Sequence, residues 1–126
     1  MTSNDAGVEV NRSQRDDSML IRTVTSATFE SLVLRGEGPI AVEFMSYGCV
    51  HCRAVEPFLE KAAEMVKGKE QVFRVNVPVD HDVANEYRIE GTPTLVMFLD
   101  AQEVGRVEGP HPTLTSVLGA ITEPFE

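Results

Sequence analysis

Cys49 and Cys52 are the two cysteines of the 126-residue chain, in the order Cys49-Val50-His51-Cys52. Thiols at that spacing can close a small disulfide ring or supply half of a metal site. Disulfide exchange requires a thiolate, and an ordinary cysteine is mostly protonated at neutral pH. The flanking sequence favours ionisation of the first thiol. The apolar run Pro39-Ile40-Ala41-Val42-Glu43-Phe44-Met45 stops just before the pair, and a helical pattern runs from Arg53 to Lys67 just after it. Cys49 is thereby predicted at a strand-to-helix turn. Unpaired N–H groups and the positive end of the helix dipole stabilise a negative sulfur there. Cys49 is the candidate nucleophile. Cys52 lies three residues on, on the same helix face, and is the candidate resolving thiol that attacks the mixed disulfide.

Three further residues bear on the pair. His51, between the thiols, is placed to tune them. If cationic and turned toward Cys49, it would stabilise the thiolate and make the disulfide more oxidising; otherwise it is a solvated loop histidine. Glu43 interrupts an apolar strand, so it must be paired or carry a raised pKa, unless it faces water at a strand edge. A carboxyl so raised can take a thiol proton near neutral pH, which makes Glu43 the candidate proton acceptor for Cys52. Arg74 either pairs with Glu43, which would weaken that role, or is a surface arginine. A four-ligand zinc site usually shows a second CxxC or paired histidines, whereas His81 and His111 stand alone, so no metal is expected.

The elements that must position these residues follow from periodicity. Residues 1–18 are polar and without apolar rhythm, and are predicted as a disordered tail before a domain spanning 19–126. Met19–Val24 is a short strand. Ser26 is expected to cap a helix carrying Phe29, Leu32 and Val33 inward, ended by Gly36 and Gly38. Ile40–Met45 reads as a strand buried on both faces. The helix after the cysteines has Ala54, Val55, Phe58, Leu59, Ala62 and Met65 at helical spacing, with a kink expected at Pro57. Gln71–Val77 alternates as a strand. A short helix over Asp82–Tyr87 ends at Gly91-Thr92-Pro93. Thr94–Leu99 is an apolar strand that turns through Asp100-Ala101-Gln102 into a hairpin partner, Glu103–Glu108. Thr113–Thr122 is a last helix. Strands and helices alternate and then close with a hairpin, which predicts an α/β class with a central mixed sheet and helices on both faces.

Composition excludes some functions. The net charge is −9, and the 11 Lys and Arg form no basic cluster, which argues against nucleic acid as a partner. No run approaches the ~20 apolar residues of a membrane span. Met1–Ser18 lacks the basic start and apolar core of a secretory signal, so a cytoplasmic location is expected, and Asn11-Arg12-Ser13 is taken as a chance glycosylation match.

From Met19 to Ile121 the chain resembles the thioredoxin family. With Cys49 on the family's nucleophile, other positions agree without a gap. Glu43 falls on a buried carboxylate, Pro57 on a helix-kinking proline, and Arg74 on a lysine beside that carboxylate. Pro93, in Gly91-Thr92-Pro93-Thr94, falls on a cis-proline facing the active site. Gly109 falls on a glycine that keeps the substrate groove open. The resemblance implies a thioredoxin fold and reduction of protein disulfides through the Cys49–Cys52 dithiol, with no further cofactor. It implies electrons from NADPH through a flavin reductase, and action as a monomer. The Thr92 backbone would pair with an extended substrate. Tyr47 either lines the groove or is merely a packed aromatic.

The sequence also departs from the family. Gly48-Cys49-Val50-His51-Cys52 replaces Trp-Cys-Gly-Pro-Cys, and there is no tryptophan. His51 resembles the Cys-Gly-His-Cys of disulfide isomerases and the Cys-Pro-His-Cys of the bacterial periplasmic oxidase. Two alternatives follow: a more oxidising isomerase- or oxidase-like variant, and a non-enzymatic peptide-binding or assembly module. Retention of both cysteines, Glu43 and Pro93 argues against the second.

Overall fold

A computed structural model describes residues 20–126. The predicted tail, 1–18, lies outside the described residues. Strand β1 is Ile21–Thr23, followed by a π-helical turn, Glu30–Leu34. Then come β2 (Ile40–Met45), helix α1 (Val50–Met65), β3 (Gln71–Asn76), α2 (His81–Glu86), β4 (Thr94–Leu99), β5 (Gln102–Glu108) and α3 (Leu114–Thr122). A 3-10 turn, Glu123–Phe125, follows. The five strands form one sheet in the order β1-β3-β2-β4-β5. β3 is parallel to β1 and to β2, while β4 is antiparallel to β2 and to β5. This is the mixed sheet of an α/β thioredoxin fold.

The continuous apolar character of β2 and β4 has a simple cause: both are covered on both faces. One face, with Val42, Phe44, Phe73, Val75, Val96 and Phe98, packs on the π-helical turn and α2. There Phe29, Tyr87 and Phe98 interlock, with ring centres 5.3–5.7 Å apart. The other face, with Ala41, Val72, Leu95 and Met97, packs on α1 and α3. Side chains alternate along a strand, so Glu43 falls on the same face as Ala41, beneath α1. Its register neighbours are Arg74 on β3 and Leu95 on β4.

Several local expectations shift. The buried face of α1 is Cys52, Val55, Leu59, Ala62 and Ala63, whereas Ala54 and Met65 point to solvent. The stripe that packs the helix therefore also buries the second sulfur. Ser26 does not cap its own helical turn. Its Oγ accepts from the N–H of Val83 at 3.4 Å, and its N–H donates to Asp80, so it supports the start of α2 across the chain. His81 opens α2, one residue before the predicted start of that helix.

The β4–β5 hairpin turns on Asp100 and Ala101, both with positive φ, 52° and 68°. Two left-handed residues match the twist of the paired strands, but only glycine adopts this conformation without a Cβ penalty. Ala101→Gly should therefore raise the unfolding free energy by about 0.5–1 kcal/mol. Urea denaturation would read this as a higher midpoint at unchanged slope; an unchanged or lower midpoint would mean the turn is already relaxed.

Candidate active site

The dithiol sits where β2 ends and α1 begins. Cys49 is the N-cap of α1, with extended backbone, and its Sγ accepts the N–H of Cys52 at 3.1 Å. Serine, threonine or aspartate commonly fills such a position with an oxygen; here a sulfur does so. The Cys49 thiol also lies 3.6 Å from the carbonyl oxygen of Thr92, to which it can donate. Both thiols are free, Cys49 partly exposed and Cys52 buried.

Their ionisation differs accordingly. Burial raises the Cys49 pKa, but hydrogen bonding by the side chains of Cys52 and Thr92 and by the N–H groups of Cys52 and His51 outweighs it. The net value lies below that of an ordinary thiol. Burial pushes the Cys52 thiol up to about 11, and its hydrogen bond to Cys49 and the charge there add to the effect. Such a pair can attack through the outer sulfur and hold the inner one protonated until it is needed.

The Thr92–Pro93 peptide is cis, as the resemblance implied, and Pro93 is buried beside the dithiol turn. The Pro93 carbonyl accepts the N–H of Gly109 at 2.8 Å, which ties the start of β4 to the end of β5. Gly109 has φ 57°, and a Cβ built there would stand 3.6 Å from Cε1 of His51. A side chain at 109 would be strained by that φ, although its Cβ would stand in ordinary contact with the ring. Thr92 and Pro93 from one loop and Gly109 from another thus flank the dithiol turn. Tyr47 is 59% exposed beside them, and Val50 is 72% exposed. The site therefore presents an apolar rim to whatever approaches.

His51 departs from expectation. Its Nε2 lies 2.8 Å from the carbonyl oxygen of Pro110, so that nitrogen carries a proton and donates it there. The ring is tied to the loop before α3 instead of being turned toward the sulfur. What His51 contributes to Cys49 is its backbone N–H.

Glu43 is fully buried, and neither carboxylate oxygen has a protein hydrogen-bond partner. Burial raises its pKa to about 7; Arg74 opposes the shift and Glu56 adds to it. Arg74 pairs with Glu43, the first of the two expectations, and shares its charge with Glu56. Its Nη2 donates to Oε2 of Glu56 on α1, while its Nε stands 3.7 Å from Glu43 Oε1, an ion pair too long for a hydrogen bond. Glu56 was missed in the sequence. The available signal was its place one turn after Cys52 on the same helix face. Cys52, Glu56, Arg74, Tyr47 and Arg53 line one cavity of about 200 Å³. Among the described residues, no group of three or more His, Cys, Asp or Glu side chains is arranged to hold a metal ion, and no helix is long and apolar enough to cross a membrane. His81 and His111 are exposed.

A family model described as thioredoxin matches residues 20–120. The chain is 37% identical over 92 residues to Thioredoxin 1 of Nostoc sp. (strain PCC 7120), an alignment covering 73% of this chain and 86% of that protein. It matches Thioredoxin 1 of Synechococcus elongatus with the same identity and coverage. Against the thioredoxin of Pseudomonas aeruginosa it is 35% identical over 80 residues, 64% of this chain and 74% of that protein. An outer thiol capping a helix, an inner thiol buried by that helix's core stripe, and these matches across the same residues agree: the chain belongs to the thioredoxin family and is a thiol-disulfide oxidoreductase.

Proposed function

We propose that the chain works in the reducing direction on protein disulfides, with Cys49 attacking and Cys52 resolving. The Cys49 thiolate attacks one sulfur of the substrate disulfide, forming a Cys49–substrate bond and releasing one substrate thiolate, which takes a proton from solvent. Cys52 then gives its proton to Glu43 and attacks Cys49 Sγ. The mixed disulfide breaks, the second substrate thiolate leaves and takes a proton from solvent, to which Glu43 returns its own, and the Cys49–Cys52 disulfide remains. The substrate gains two electrons and two protons, and the dithiol loses them. The observation that carries this reading is the asymmetry of the pair: an outer sulfur held by N–H groups at a helix start and an inner one buried.

An extended substrate segment would pair with the backbone of Thr92 over Pro93 and Gly109, with Tyr47 at the side. Specificity then rests on main-chain geometry, in keeping with a catalyst for many proteins. The dithiol is the redox group, and no other cofactor takes part. Electrons return to it from NADPH through a flavin reductase. The protein acts as a monomer in the cytoplasm, a compartment that keeps such a pair reduced between turnovers. The engagement of His51 with Pro110 supports the reductase over the more oxidising variant, because Nε2 spends its proton on a carbonyl.

The test is the reduction potential, from equilibration in glutathione buffers with trapping of free thiols. The expected value is about −270 mV, where thioredoxins lie. A value of about −180 mV or higher would overturn the reducing assignment in favour of an isomerase or oxidase.

A further inference from the structure

Beneath the dithiol, one guanidinium stands among three carboxyls. Glu43 comes from β2, Arg74 from β3, and Glu56 and Glu60 from α1. The Arg74 guanidinium is held away from Glu43, by the Glu56 carboxylate and by the side chain of Tyr47. Its Nη2 is bonded to Glu56, whereas its Nε is buried without a hydrogen-bond partner, 3.7 Å from a Glu43 oxygen that also has none. A guanidinium free to turn would close that gap and bond Glu43, because a buried carboxylate gains most from a charge-assisted bond. Glu56 bonds its other end, with Tyr47 beside it.

We propose that Glu56 is a positioning residue: by anchoring the Arg74 guanidinium it keeps Nε short of Glu43 and leaves that buried carboxyl free to exchange a proton with Cys52. This rests on the reading of Glu43 as the proton acceptor for Cys52. Two features of Glu56 suit the role. It lines the same cavity as Cys52 and Arg74, and its side chain is 28% exposed, so its charge is hydrated where that of Glu43 is not. The remaining surroundings of Glu43 are accounted for. β4 contributes Leu95, and α3 packs this face with Val117, Ala120 and Ile121, none of them titratable. Glu60 enters through its proximity to Glu56; burial raises its pKa, and the charge of Glu56 adds to the shift. Arg53, at the cavity wall, donates to the carbonyl oxygen of Tyr47.

The experiment follows the Glu43 carboxyl by 13C NMR across pH in the full-length protein, in its wild-type form and as Glu56→Ala. With Glu56 gone, Arg74 should bond Glu43, and the titration midpoint of Glu43 should fall by about one pH unit or more. Glu56→Gln keeps the side-chain length and an acceptor oxygen, so it should give a smaller fall, and it serves as the variant if the alanine protein folds poorly. In an Arg74→Gln background, Glu56→Ala should lose most of its effect. A midpoint that stays or rises in Glu56→Ala overturns the proposal. So does an equal fall with and without Arg74, which would mean a direct charge effect without positioning. The pH profile of mixed-disulfide resolution is read on the same proteins. If it moves to lower pH with the midpoint, both readings stand. If the midpoint moves and the rate profile does not, Glu56 positions Arg74 as proposed and Glu43 is not the acceptor.

Discussion

Replacing Cys49 with serine should reduce disulfide-reducing turnover by about 10³-fold or more, while the protein stays folded. The loss is chemical. A serine hydroxyl is scarcely ionised at neutral pH, so the N–H groups that support a thiolate have no anion to hold. The fold should survive because Cys49 caps α1 through its Sγ, and serine is among the preferred N-caps. Cys52→Ser should fail differently. Its outer thiol still attacks, but no inner thiolate resolves the adduct, so the enzyme stalls after one event with substrate bound to Cys49. Turnover on a disulfide-bonded protein, with mass spectrometry of the trapped adduct, separates the two variants. Undiminished turnover in Cys49→Ser would sink the assignment of the nucleophile. Retained binding without any turnover in the wild type would favour a non-enzymatic module.

Glu43→Gln should stabilise the protein at high pH and slow it as a catalyst. Glu43 titrates near 7 in the folded chain against 4.5 for the free side chain, because burial penalises its charge. Below pH 4.5 both states hold the proton, and the residue is neutral in both. Between about 4.5 and 7 the unfolded chain releases the proton and the folded chain does not, so stability falls as pH rises. Above 7 the loss is complete, and a shift of this size corresponds to about 3 kcal/mol. Glutamine cannot ionise. Glu43→Gln should therefore match the wild type near pH 4 and exceed it by about 3 kcal/mol at pH 8. Urea denaturation at both pH values gives the difference. Glu70, whose pKa burial also raises to about 7, contributes the same sign in both proteins and cancels. At pH 8 the resolving step should slow about 100-fold, the scale of a lost general base. A variant that is no more stable at pH 8 than at pH 4, relative to wild type, would mean that Glu43 is not held against its charge.

The fold was legible because its signals are local. The helix after the cysteines, the strands Ile40–Met45 and Thr94–Leu99, and the last helix are marked by periodicity, by length and by glycine or proline at their ends. Errors arose where the deciding partner is distant. Ala54 and Met65 fit an apolar stripe by spacing, yet the direction of α1 over the sheet turns them outward and Cys52 inward. Ser26 has the composition of a cap for its own helix, but the chain folds so that it meets Val83, 57 residues away.

The same division runs through the site. The sequence by itself determined that two thiols lie three residues apart across a helix start, and that a carboxyl interrupts a buried strand. Backbone geometry carries those facts over a few residues, whatever the rest of the chain does. Only the tertiary structure decided what each group touches. The Cys49 thiol meets the carbonyl of a residue 43 positions on, and the His51 ring meets one 59 positions on. Arg74 bonds a carboxylate on the helix above while standing just short of the one beside it. These choices depend on strand register and helix docking to within an ångström. Hydrogen bonds and buried charges respond to distance on that scale, and a one-dimensional pattern does not record it.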